Sequence, residues 1–119
     1  MAEPLRNTAE LQKQLTEFQE LQRQMQLIYA QKQQLTMQVQ EIKIAQEELA
    51  KSDKGVYRYV GSILIESTKA EATADLKDKL ELFEMRLGVL DKQETKLKPK
   101  MDELRASLEK MLRAGKGQS

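Results

Sequence analysis

Two stretches of heptad-spaced apolar residues, matched in length and separated by a short β-branched segment, restrict this chain more than any other feature. From Asn7 to about Ser52 there is neither Gly nor Pro, and Gln, Glu, Lys and Leu dominate. These are good helix formers. Apolar positions recur in alternating steps of three and four: Leu11, Gln14, Phe18, Leu21, Met25, Ile28, Lys32, Leu35, Val39, Ile42, Gln46 and Leu49. Nine of these twelve are apolar, which reads as a coiled-coil helix over about 7–52. Asn7 followed by Glu10 has the spacing of a capping box at its start. A second seam runs Leu76, Leu80, Phe83, Leu87, Leu90, Glu94, Leu97, Met101, Leu104, Leu108 and Met111, with ten of eleven apolar. Thr68 and Glu71 repeat the capping-box spacing, so this helix is expected over about 69–113, followed by a flexible tail at 114–119. Each helix would measure roughly 65–70 Å at about 1.5 Å per residue. Equal lengths point to an antiparallel helical hairpin.

Between the helices the period changes. VYRYV (56–60) and ILIES (63–67) are β-branched and aromatic-rich around Gly61-Ser62, and Gly first in a two-residue loop suits a type II′ turn. The expected β-hairpin over about 56–67 sets Val60 opposite Ile63, Tyr59 opposite Leu64 and Arg58 opposite Ile65. Both faces then carry large apolar groups. A lone two-stranded ribbon is marginal in water, and this one has two open edges. It is not completed within one chain.

Composition excludes most other readings. At 119 residues the chain has room for one domain, with 39% hydrophobic, 4% aromatic and 33% charged positions. Lys and Arg number 20 against 19 Asp and Glu, a net charge of +1, which argues against a nucleic-acid binder. With no His and no Cys, imidazole bases, thiol nucleophiles, disulfides and most transition-metal sites are removed. No phosphate loop or paired carboxylate stands out, so no enzyme, metal or cofactor is expected. The opening MAEPLRNTAELQ has no apolar core, so no signal peptide is expected. The longest apolar run, Leu27 to Ala30, is far too short for a membrane. These features imply a polar, intracellular, mainly helical chain that works by contact.

In an antiparallel pair the residue numbers in one layer sum to a constant, and the short connection allows 122 or 129. Lys32 and Glu94, the charged seam residues, fall in adjacent layers either way. They are expected to meet as a register-setting ion pair; two independent charges with solvated ends are the simpler alternative. At the free helix ends, Leu5, Leu11, Leu15, Phe18, Leu104, Leu108, Met111 and Leu112 gather. Leu15 and Leu112 fall beside the seam, leaving more apolar surface than two helices consume. Residues 76–119 carry eleven bases against eight acids. A solvated helix face accounts for them, since acids are interleaved.

Taken together, VYRYVGSILIE (56–66), LKDKLELFEMRLGVLDKQETKLKPKMDEL (76–104) and the Gln-rich LQKQLTEFQELQRQMQLIYAQKQQL (11–35) resemble the prefoldin family of chaperone subunits. The likeness is greatest to its beta class in the archaeal form, because there is one hairpin. The resemblance implies a long antiparallel two-helix coiled coil whose hairpin joins an oligomeric β-barrel platform in a hexamer of two alpha and four beta subunits. Val56, Tyr57, Tyr59, Val60, Gly61, Ile63, Leu64 and Ile65 would make that assembly surface. The leucines, Phe18 and Met111 at the helix ends would bind unfolded polypeptide clients without ATP, for delivery to a group II chaperonin in the cytoplasm. No nucleic acid and no membrane enter this picture. Pro99, at an outward position, would kink or loosen the second helix without ending it. The rival reading is a structural coiled-coil adaptor that binds a folded partner.

Overall fold

The computed structural model describes residues Ala2–Gly117, with side chains from Thr8 to Ala114. Its elements are α1 (Ala2–Lys51), β1 (Val56–Val60), β2 (Ile63–Ser67) and α2 (Lys69–Gly117). Two compact units divide them. One holds residues 31–89, with the hairpin and the helical segments that flank it; the other combines the segment of α1 up to Ala30 with the segment of α2 from Leu90.

Helix limits differ from expectation at two ends. α1 begins at Ala2, so Asn7 and Glu10 lie inside it and not at its start. Pro4 does not prevent this, because the first-turn N–H groups have no helical acceptor to lose. α2 continues through Ala114 and Gly115 to Gly117. Glycine weakens a helix without forbidding its dihedrals, and no proline follows to stop it. Pro99 sits exposed within α2 and the helix runs on. The carbonyl it leaves without a helical donor belongs to Thr95, which is also exposed, so it is not an acceptor shut away from solvent.

In the unit of residues 31–89, Val39, Ile42 and Ala72 are buried, with Leu35, Leu76, Leu80, Phe83 and Leu87 half-buried beside them. In the other unit Ile28, Leu90 and Leu108 are buried, flanked by Leu21, Met25, Leu97 and Met101. Every expected seam position is buried or half-buried. Among the described residues no side chain falls below 2% exposure. Two helices cover one stripe of each other and leave its margins wet; a well-buried Leu or Ile there still contributes about 1.5–3 kcal/mol.

Contacts choose between the two registers. The Ser107 hydroxyl donates to Gln14 Oε1 at 2.8 Å, and the Arg105 guanidinium lies 5.8 Å from the Phe18 ring centroid. Both pairs fall within one of the register that sums to 122. The alternative would carry Gln14 a full heptad beyond Ser107.

The junction is tied by side chains. Thr68 caps α2, its hydroxyl accepting from the Glu71 N–H at 3.1 Å. The Glu71 carboxylate accepts from the Ser67 hydroxyl at 3.1 Å, where a capping box would have used the Thr68 N–H. Lys69 Nζ reaches back to the carbonyls of Ala50 at 3.1 Å and Ser52 at 3.5 Å. A cation there satisfies acceptors that the end of α1 leaves open and complements its negative dipole.

β1 and β2 pair antiparallel with Val60 opposite Ile63, Tyr59 opposite Leu64 and Arg58 opposite Ile65. Gly61 has φ +63°, and no non-glycine among the described residues has positive φ. A positive first and negative second position is the type II′ pattern, as the Gly-Ser order predicts.

Candidate functional site

Strand alternation puts Val56, Arg58, Val60, Ile63, Ile65 and Ser67 on one face of the hairpin, and Tyr57, Tyr59, Leu64 and Glu66 on the other. The near ends of the first face, Val56, Arg58 and Ser67, are half-buried. Beyond them cover ceases. Ile63 is 63% exposed, and Val60 and Ile65 are also open. On the opposite face Tyr59 reaches 75% exposure, with Tyr57 and Leu64 above half. Gly61 is exposed at the turn. The ribbon thus presents exposed apolar groups on both faces, and a contiguous apolar surface of this kind marks an interaction site.

Beneath the hairpin a cleft of about 530 Å³ lies between Ala45 and Leu49 of α1, Val56 and Arg58 of β1, and Ala72 and Asp75 of α2. Arg58 spans it. Its Nη1 stands 3.9 Å from Asp75 Oδ1, while Asp75 Oδ2 holds Lys79 at 3.1 Å. The Arg58 Nε is buried and has no hydrogen-bond partner.

The helix-end residues separate into two groups. Leu11, Phe18, Leu104 and Met111 are half-buried and Leu108 is buried, so helix packing uses them. Leu15 and Leu112, 40% and 53% exposed, stand outside that packing, as their places beside the seam imply. Leu5 lies outside the residues whose side chains are described. Phe18 is further covered by Arg105. A shallow groove of about 580 Å³ runs over Leu21 and Leu104 between Glu17, Glu20, Glu103 and Lys100. Arg23 binds Glu20 at 2.6 Å; that hydrogen bond, with a second from Gln24, lowers the Glu20 carboxyl below its ordinary value.

Lys32 and Glu94 are half-buried at seam positions, each in its own unit. A polar tie across the helices joins Gln14 to Ser107. Heptad position gave no hint of it, because Ser107 lies beside the seam. Arg58 and Lys69 were also missed: one charged residue in a strand or first turn carries no periodic signal. An exposed stripe of Leu82, Met85 and Val89 along α2 occupies outward positions that the seam pattern ignores. Among the described residues, no helix is long and apolar enough to cross a membrane.

Comparison with known proteins agrees with this geometry. The family model for "Prefoldin subunit" matches residues 12–115. The prefoldin subunit beta of Thermococcus kodakarensis is 38% identical over 106 residues, covering 87% of this chain and 91% of that protein. The prefoldin subunit beta of Saccharolobus islandicus is 34% identical over 114 residues, covering 94% of this chain and 89% of its own length. The crystal structure of the prefoldin beta subunit from Thermococcus strain KS-1 superposes with a TM-score of 0.78 at 38% identity, over 87% of this chain and 93% of that one. With two heptad helices, a single hairpin between them, and relatives matched over most of their length, the chain belongs to the prefoldin subunit family.

Proposed function

We propose that this chain is a beta-type subunit of an ATP-independent holdase. Its hairpin joins alpha-type subunits and other copies in a β-barrel platform, in a hexamer of two alpha and four beta subunits. The observation that carries this reading is the hairpin's exposure on both faces, at Tyr57, Tyr59, Val60, Ile63, Leu64 and Ile65. Burying a large apolar side chain is favourable by about 1.5–3 kcal/mol, so six such groups in water mark a surface awaiting partners.

The helix ends hold clients. Leu15 and Leu112 offer apolar contact at once, and separation of the end turns adds Leu11, Phe18, Leu104, Leu108 and Met111. Flexible Leu and Met side chains repack against varied sequences. Several weak sites on one hexamer combine through multivalency, so no single tight site is required. Transfer to a group II chaperonin follows when it offers better burial, and the work is cytoplasmic.

Two variants test the two halves. Ile63→Asp with Ile65→Asp should keep the helical circular dichroism yet abolish assembly with an alpha-type subunit, read as mass by light scattering. Removing residues 1–18 and 105–119 should keep the hexamer but lose suppression of aggregation of a chemically unfolded protein. If the truncated hexamer protects that protein as well as the full one, the client surface lies elsewhere. A full-length hexamer that gives no protection, yet binds a folded protein, would favour the adaptor reading.

A further inference from the structure

The hairpin's two edges are chemically unequal. Val60 and Ile63 flank the turn and lie directly opposite each other, and in a two-residue hairpin that pair exchanges both of its hydrogen bonds. Alternation then turns the N–H and C=O of Tyr57 and Tyr59 outward from β1, and those of Leu64 and Glu66 outward from β2. A strand added to either edge bonds to those groups. When an antiparallel strand engages both outward residues, the position between them is fixed as a close, non-hydrogen-bonded pair. On β1 that position is Arg58; on β2 it is Ile65.

Consider a second copy of this chain at the β1 edge. If it offers its own β1, Arg58 comes opposite Arg58, and like charges directly opposed are unfavourable. If it offers β2, Arg58 comes opposite Ile65, which accepts nothing. Arg58 needs an acceptor: its Nε is buried without a partner. Its nearest carboxylate stands at 3.9 Å, beyond hydrogen-bond length, and is shared with Lys79. At the β2 edge no such conflict arises. Two copies set Ile65 against Ile65, with Leu64 beside Glu66, an apolar pair with no opposed charges.

We infer that the β1 edge selects a strand from a different chain, one that places a carboxylate opposite Arg58, while the β2 edge accepts a second copy. This rests on the hairpin being the assembly surface. It adds that Arg58 decides which neighbour sits on which side. A carboxylate there makes a charge-assisted bond to the orphaned donor, so the strand order around the platform is chemically encoded.

The chain itself supplies the probe. In R58E the charge is reversed, so β1 of the variant complements β1 of the wild type, whereas each alone opposes like charges. Mass is measured by light scattering for wild type, R58E and their equimolar mixture, at low salt and at high salt. The mixture should show at least double the mass of either component, since each β2-paired unit offers two β1 edges, and salt should shrink the gain. A second variant, R58L, removes the charge and should by itself exceed the wild-type mass; it carries the test if R58E fails to fold. Equal masses for the mixture and its components, with R58L unchanged from wild type, would overturn the inference. The double aspartate variant at Ile63 and Ile65 separates the causes. If it still associates, the hairpin reading has failed; if it is monomeric while charge reversal has no effect, only the edge assignment has.

Discussion

Lys69 shows how much one side chain does at this junction. A lysine in the first turn of a helix opposes the positive end of its dipole, yet here the side chain crosses to the carbonyls of Ala50 in α1 and Ser52 just past its end. Its charge answers the wrong helix by sequence and the right one in space. Lys69→Met keeps most of the aliphatic stem and removes the ammonium, and should lower unfolding stability by about 1 kcal/mol. Chemical denaturation of the Ile63 and Ile65 double aspartate background reads this without interference from assembly, and no change would show that water replaces the ammonium at no cost. Single residues of this kind were the least legible. Lys69, Arg58 and Ser107 owe their roles to what lies opposite them in three dimensions, and a heptad plot records only position along one helix. Lys32 and Glu94 were singled out for register because they break the apolar pattern. Gln14 breaks it too, and the hydroxyl of Ser107 shows how a neutral seam residue is accommodated.

Among the elements, the hairpin was the most readable. Its strands, partner residues and turn follow from β-branched content and Gly61-Ser62, and the observed pairing repeats them residue for residue. Gly61 holds φ +63° with open space where a Cβ would stand, so substitution meets backbone strain and no clash. Gly61→Val should cost about 1–2 kcal/mol at the turn and lower the yield of assembled oligomer, with helix content unchanged by circular dichroism. Full assembly at wild-type yield would show that partners, and not the turn, shape the ribbon. The helices were legible in their buried faces but not at their ends. Asn7 looks like a cap only until Ala2–Arg6 are seen to be helical. The glycines after Ala114 mark a weak place, not a stop.

Across the described residues, the exposed large apolar groups lie off the heptad seam or on the hairpin, and the charges are nearly balanced. With no His or Cys, no side chain has an ordinary pKa between about 5 and 8. Helicity should therefore be flat across that range, and a titration midpoint within it would contradict the electrostatics described. The acid side has a definite sign. Glu20 has a folded-state pKa below its unfolded one, so its contribution is present above the unfolded value and is lost as pH falls through the depressed one. The pair is exposed, so that loss is shallow. A last consequence follows from the seam in which no described side chain is fully enclosed. Unfolding such a chain uncovers little new apolar surface per residue, and the heat-capacity increment of unfolding scales with that surface. Calorimetry of the unassembled subunit should show a small increment, and with it a broad, flat curve of stability against temperature, resistant to cold as well as to heat.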